Sequence, residues 1–286
     1  MKPLMVTVLA ALAAGTAGIL RSEYEKNSLS VEETVISSDK IKSEKRLVFL
    51  TDLHDKEFGH QNSRLLTAIR QQRPDLVLIG GDTMIAKKDQ AGLAVTECLI
   101  RSLTKLCPVY YGNGNHEQRL RRETHHYGDS YARFCRLLKH YGAIYLSDAS
   151  VEIGDDLRIS GLDIAGRYYQ DFCPAQMTAG YINKSLGPAA ADRYQILLAH
   201  SPLFPGAYAE WGADLTLAGH FHGGTIRIPG LGGVMTPQFQ FFLPWCAGTF
   251  ETGGRYLIAG RGLGTHSINI RLNNKPQVVV IRLVPA

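Results

Sequence analysis

The chain has 286 residues, enough for one large domain or two small ones with a well-buried core. Hydrophobic residues make up 45% and charged residues 20%, the composition of a globular protein and not of a disordered or fibrous one. A net charge of +5, dispersed along the chain, suits an anionic substrate or an acidic membrane surface and gives no ground for a nucleic-acid partner.

The first element is apolar. From Pro3 to Leu20 (PLMVTVLAALAAGTAGIL) no charge occurs. As a helix this run would span about 27 Å, close to the ~30 Å hydrocarbon core of a bilayer. A cleaved signal peptide is the rival reading, since the small residues from Ala13 to Gly18 offer a cleavage site. A buried helix fits less well, because the polar run RSEYEKNS follows. The expectation carried forward is an uncleaved membrane anchor over residues 1–20, with the body outside the cytoplasm. Lys2 is opposed by Arg21 and Lys26, so loop charge says little about orientation.

Residues 21–45 read as a polar linker with one edge strand (LSVEETVI), and residues 46–286 as a single catalytic domain. RLVFLTD (46–52), PDLVLIGGD (74–82) and PVYYGN (108–113) predict buried strands. Between them, SRLLTAIRQQR and the stretch from Ala91 to Leu106 space their apolar residues as helices do. This βαβαβ order implies parallel strands with helices packed on the sheet faces. Further on come a helix over Tyr127–His140, a strand AIYLSD, and a hairpin VEIGDDLRISGLD turning at Gly154–Asp156. YQILLAH, DLTLAGH, RYLIAGRG and QVVVIRL complete the strands. The fold class expected is α/β, with two packed mixed sheets flanked by helices in four layers. Five cysteines (Cys98, Cys107, Cys135, Cys173 and Cys246), none in a CxxC pair, read as small buried hydrophobes, with one oxidised pair possible outside the cytoplasm.

Polar clusters stand where the apolar strands end: TDLHD with Asp52 and His54, GGD with Asp82, GNGNHE with Asn115, His116 and Glu117, LLAHSP with His200, and GHFHGG with His220 and His222. Asp52 and His54, two apart on an extended backbone, would face the same side and could bind one ion. The glycines before Asp82 let backbones approach closely. Any one cluster reads equally as a turn, a helix cap or a hydrogen-bonded surface histidine. Five strand ends that all deliver Asp, Asn or His to one crevice read as a metal centre. Oxygen and imidazole donors without thiolate suit two divalent ions such as Mn, Fe or Zn.

The order D-x-H, GD, GNHE, H and GHxH resembles the signature of the calcineurin-like metallophosphoesterases, from about Leu47 to Leu283. The chain is most similar to the bacterial membrane-associated branch, through DLHDKEFG (52–59), RPDLVLIGGD (73–82), AEWGADLTLAGHFHGG (209–224) and RGLGTHSINIR (261–271). That branch includes enzymes similar to UDP-2,3-diacylglucosamine pyrophosphatases. The resemblance implies that Asp52, His54 and His222 bind one metal, that Asn115, His200 and His220 bind the other, and that Asp82 bridges them. It implies too that His116 is the catalytic histidine beside the metals. Phe221 and Thr225 stand where many relatives have Thr and Gln, which bears on substrate fit and not on metal binding.

Two ions about 4 Å apart can lower the pKa of a bridging water and hold it for in-line attack on phosphorus. The leaving alkoxide needs a proton, and an imidazole titrating near neutral pH suits that role, so His116 is the expected general acid. Glu117 reads either as a support for the loop or as a solvated surface residue. Arg119, Arg121 and Arg122 read as candidate substrate-phosphate or lipid-headgroup contacts, or as a solvated basic helix start. FQFFLPWCAGTF (239–250) reads as an apolar substrate groove or as core packing. The function expected is hydrolysis of a diester or pyrophosphate, on a phosphorylated small molecule or a lipid-linked substrate. A phosphomonoesterase or nucleotidase, and a silent binding protein keeping the fold, are the alternatives.

Overall fold

The computed structural model describes residues 2–87, 92–170, 172, 175–265 and 268–286; Cys173 and Ala91 lie outside the described residues. In chain order it begins with α1 (Lys2–Lys26), β1 (Ser30–Ser38), β2 (Lys45–Leu50), α2 (Ser63–Gln71), β3 (Leu76–Ile79), α3 (Ala94–Leu103) and β4 (Val109–Gly112). Then follow α4 (Asn115–Arg122), α5 (Thr124–Tyr127), α6 (Ser130–Tyr141), β5 (Ile144–Leu146), β6 (Ala149–Ile153) and β7 (Leu157–Leu162). The chain continues through α7 (Ala179–Leu186), β8 (Tyr194–Ala199), α8 (Pro205–Trp211) and β9 (Leu215–Ala218). It closes with β10 (Arg227–Ile228), β11 (Gly232–Gly233), β12 (Gly248–Thr252), β13 (Arg255–Ala259) and β14 (Gln277–Pro285).

The strands form two six-stranded sheets, ordered β1-β14-β2-β3-β4-β5 and β12-β13-β9-β8-β7-β6, plus the small hairpin β10-β11. In the first sheet β2 to β5 run parallel and β14 is antiparallel to β2. In the second, β13, β9, β8 and β7 run parallel between antiparallel edges. Alternation along the strands builds the layers. Leu47 and Phe49 of β2 enter a core shared with Ile196 and Leu198 of β8, which lies between the sheets. Val48 and Leu50 turn the other way, onto Leu65, Ile100 and Phe134 of α2, α3 and α6. Leu197 and Ala199 turn onto Ile182 and Tyr208 of α7 and α8. Strands buried on both faces read as unbroken apolar runs, which is why these were visible in the sequence. The result is the four-layer α/β/β/α arrangement.

Two boundaries differ from the expectation. Helix α1 does not stop at Leu20 but continues to Lys26, and Ser22, Glu25 and Lys26 are buried against the body. The span expected as one helix over Tyr127–His140 is broken at Gly128, whose φ of 55° ends α5 before α6 begins. The aromatic run 239–250, read as groove or core, does both in part: Cys246 is buried, Phe239 lines a cleft, Phe241 and Phe242 are exposed, and its end enters the edge strand β12. Cys98, Cys107, Cys135 and Cys246 are free thiols.

Candidate metal centre

The carboxyl ends of five parallel strands meet at one crevice between the sheets, where α/β folds place their ligands. Asp52 and His54 follow β2, Asp82 follows β3, Asn115 and His116 open α4 after β4, His200 follows β8, and His220 and His222 follow β9. All seven predicted ligands are brought together. Asp52, His54 and His222 offer donor atoms within 4.8 Å of one another, and Asp82, His200 and His220 form a second such group. Asn115 joins them in the wall of the same cleft.

Asp82 stands between the groups. Its Oδ2 is 3.2 Å from His200 Nε2 and 3.8 Å from His54 Nε2. Its Oδ1 accepts the His116 main-chain N–H at 2.8 Å, which leaves Oδ2 for the crevice. Asp52 Oδ1 lies 3.5 Å from His222 Nε2 and 3.6 Å from His200 Nε2. Asn115 Oδ1 is buried with no hydrogen-bond partner. Leaving such an atom unsatisfied costs about 1–3 kcal/mol, so it calls for a reason. Carboxylate, amide and imidazole donors turned on a common space are the set that divalent cations take, and the residues fit two ions.

The local backbone is not extended as the D-x-H spacing suggested. Asp52, His54, Asp82, His220 and His222 all have positive φ, between 46° and 66°. They sit in the left-handed region, which costs a non-glycine residue roughly 1–2 kcal/mol and which Asp and His tolerate better than most. Asp52 and His54 converge because their N–H groups donate to Gly81 O and Asp82 O, not because a strand alternates. A Cβ on Gly114 would strike the Asp82 carboxylate, so the GD and GN loops touch only because this residue is glycine.

The imidazoles of His200, His222 and His220 are aimed by the partner of their other nitrogen. His200 Nδ1 lies 2.7 Å from Gly80 O and His222 Nδ1 3.2 Å from Gly264 O, so both turn Nε2 inward. His220 Nε2 meets Gln238 Oε1 at 3.2 Å, which leaves Nδ1 for an ion. His116 differs: its Nδ1 accepts the Ala86 N–H at 2.9 Å, which puts the proton of the neutral ring on Nε2. Burial pushes the Asp52 and Asp82 carboxyls up, but the imidazoles of His222 and His200 outweigh it and both stay well below the carboxylate range. Burial pushes His200 down, yet Asp82 and Asp52 raise it to about 10. Burial lowers His220 to about 4 and His222 to about 3. The crevice therefore holds two fixed anions.

A family profile described as calcineurin-like phosphoesterase matches residues 45–224. The chain belongs to that family. It is a hydrolase of phosphoric esters. It is 27% identical over 242 residues to the phosphodiesterase YaeI of Escherichia coli, covering 84% of this chain and 82% of that one. It is 25% identical over 254 residues to the uncharacterized metallophosphoesterase YkuE of Bacillus subtilis, covering 83% and 78%. Among solved structures, TT1561 of Thermus thermophilus aligns with a TM-score of 0.48 at 11% identity, covering 77% of this chain and 90% of that one.

Of the residues around this candidate centre, Arg119 and Arg122 line a cleft of about 400 Å³ with His116 and Tyr169. Arg121 does not. Helical spacing puts Asn115, Arg119 and Arg122 on one face and Arg121 on another, where it pairs with Asp163 at 2.8 Å. Glu117 is no surface residue. It is fully buried and accepts the N–H groups of Asp82, Thr83 and Gly114 and the Tyr111 hydroxyl.

Sequence reasoning missed Gln238, Tyr169, Arg271 and Asn274. Arg271 is buried, and its guanidinium donates to the carbonyls of Arg261, Gly262, Gly264 and Asn274. Asn274 Nδ2 donates to His222 O at 2.7 Å, while its own N–H is held by Glu25 of α1. No local signal marks these residues. The partners of Asn274 are far off in the chain, and Arg271 ends the RGLGTHSINIR stretch that carried part of the resemblance.

Proposed function

We propose that the chain is a binuclear, metal-dependent phosphodiesterase or pyrophosphatase working at a membrane surface on lipid-linked substrates. The observation that carries the reading is Asp82 Oδ2, set between an Asp52–His54–His222 group and an Asn115–His200–His220 group whose Asn115 Oδ1 has no hydrogen-bond partner. When bound, two divalent ions such as manganese, iron or zinc supply Lewis acidity and an activated water at neutral pH.

The protein's own groups supply the rest. His116, with its proton on Nε2 in the cleft wall, protonates the leaving oxygen. Arg122 and Arg119 hold phosphate oxygens away from the metals, the use to which arginine forks are best suited. Glu117 keeps the loops that carry Asp82 and Asn115 in contact. Helix α1, long and apolar enough over Met5–Lys26 to cross a membrane, supports anchoring and a lipid-linked substrate. The relative named phosphodiesterase YaeI supports a diester.

The test compares bis-p-nitrophenyl and mono-p-nitrophenyl phosphate, with manganese and with chelator, for wild type and Asp82→Ala. Preferred turnover of the diester with metal, and loss of bound metal in Asp82→Ala, are expected. No cleavage with any metal, together with undiminished metal in Asp82→Ala, would end the binuclear reading. Preferred cleavage of the monoester would make the enzyme a phosphomonoesterase.

A further inference from the structure

Exposed large apolar side chains are gathered on one side of this molecule. Outside α1, Val31, Val35 and Ile144 are the isolated cases among the described residues. The rest belong to four segments: Phe172 at 70% exposure, Ile228 with Leu231, the run Phe239 to Phe242, and Ile268 with Ile270.

These segments, distant in sequence, are one surface. Phe172 donates its N–H to Gln238 O, and its ring stacks on Phe239 at 5.6 Å. Met235 bridges to Phe241, and Phe242 N–H reaches Val234 O beside the β10-β11 hairpin. Arg227 N–H reaches Leu272 O, which joins that hairpin to the Ile268–Ile270 segment. A slot of about 60 Å³ between Met235, Phe239, Ile268 and Ile270 runs in to the ligand His222. Phe239 also walls the metal cleft.

The same surface meets the base of α1. Lys26 Nζ donates to Asn269 O at 3.2 Å, and Ser22 Oγ accepts the Arg271 N–H at 3.0 Å. Beyond that base, Leu9, Leu12, Ile19 and Leu20 stand exposed along the helix. Two further lysines stand at the junction: Lys56 bonds Asn27, and Lys275 lies over the Tyr24 ring, while Lys26 and Arg21 pair with Glu23 and Glu25.

We propose that this apolar apron is immersed in the interfacial layer of the bilayer that α1 enters, so that the metal cleft opens at the lipid headgroups. The inference rests on the membrane reading of α1. A contiguous exposed apolar surface marks an interaction site, and aromatic rings favour the membrane interface. The occupant is a bilayer and not a protein because a helix ending beside Asn269 brings Ile268 and Ile270 to whatever that helix enters. Lysines at the junction suit anionic headgroups. Apolar faces that lie on membranes sink about 5–10 Å, the depth of the headgroup boundary. A scissile phosphate at that depth could reach the centre without its acyl chains leaving the bilayer.

The experiment uses the full chain in vesicles of phosphatidylethanolamine and phosphatidylglycerol, with and without lipids brominated high on the acyl chain. Phe241→Trp reports on the apron. Ile144→Trp, on β5 at the sheet edge opposite β1, is the control, and the parent chain supplies the background of Trp211 and Trp245. The expected result is that vesicles float the chain, that bromine quenches the emission added by Phe241→Trp, and that the Ile144→Trp emission is unaffected. A floating chain whose Phe241→Trp emission ignores bromine would overturn the proposal, with the apron in water or under a second copy, and leave the anchor standing. A chain that does not float removes both. Hydrolysis of bis-p-nitrophenyl phosphate by the same vesicles reports separately on the metal centre.

Discussion

Arg271 and His222 share one acceptor, the main-chain oxygen of Gly264, with the guanidinium Nη2 at 2.6 Å and the imidazole Nδ1 at 3.2 Å. The carbonyl that sets the orientation of a candidate ligand is thus itself fixed by a buried cation, which burial brings down to about 9. Groups that orient ligands in this way typically matter by about 10- to 100-fold in metal affinity or activity. Arg271→Leu is expected to weaken metal binding in that range, read by chelator competition. Unchanged affinity would show that Gly264 holds its place without the guanidinium.

His116 is expected to act on the leaving group and not on the metals. In His116→Gln both ions should remain, counted by elemental analysis, while kcat falls by ~10²-fold or more. A full rate with bis-p-nitrophenyl phosphate would assign the proton to another donor.

Arg121 and Arg122 are neighbours in sequence with different surroundings. Arg122→Ala removes a charged donor from the cleft, and hydrogen bonds to charged groups contribute about 1.5–3 kcal/mol, so KM for a pyrophosphate diester should rise roughly ten- to hundred-fold. Arg121→Ala should leave KM alone. Arg121 is itself half exposed, and Gln118 and Ser147 still donate to the buried Asp163 carboxylate, so the stability loss should stay below about 1 kcal/mol by urea titration.

Glu117→Ala would leave three buried main-chain N–H groups unpaired at once and take one of its two partners from the Tyr111 hydroxyl. An unsatisfied buried donor costs about 1–3 kcal/mol, so a loss of ~3 kcal/mol or more is expected in denaturant unfolding of the metal-free protein. A loss under 1 kcal/mol would mean that water replaces the carboxylate.

Metal loading should release a proton. With His200 raised to about 10, the imidazole is charged at pH 7.5 in the metal-free chain, and it must be neutral to coordinate. His220 and His222, lowered to about 4 and 3, are already neutral there. Calorimetry in buffers of different ionisation enthalpy should show close to one proton leaving at pH 7.5, falling toward zero above about pH 10. No release at pH 7.5 would place His200 neutral before metal arrives.

Much of the fold was legible because strands buried on both faces are unbroken apolar runs, and because each candidate ligand stands just past such a run. Residue type and position relative to a strand end are local properties, so Asp52, His54, Asp82, Asn115, His200, His220 and His222 could be chosen without coordinates. The chemistry of the phosphoesterase family follows from that choice. Local spacing misled where backbone torsion departs from the regular: Asp52 and His54 converge through left-handed residues, and α1 runs on past its apolar end because Ser22 and Glu25 have partners in the body. Helical spacing sets Arg121 apart from Arg119 and Arg122, but tertiary structure alone decided that Glu117 is buried and that Arg271 and Asn274 reach the loops of the candidate centre. It also gathered Phe172, Leu231, Phe241 and Ile270 into one surface beside α1. Most of these depend on groups tens to hundreds of residues apart, and no periodicity in the chain records where such groups meet.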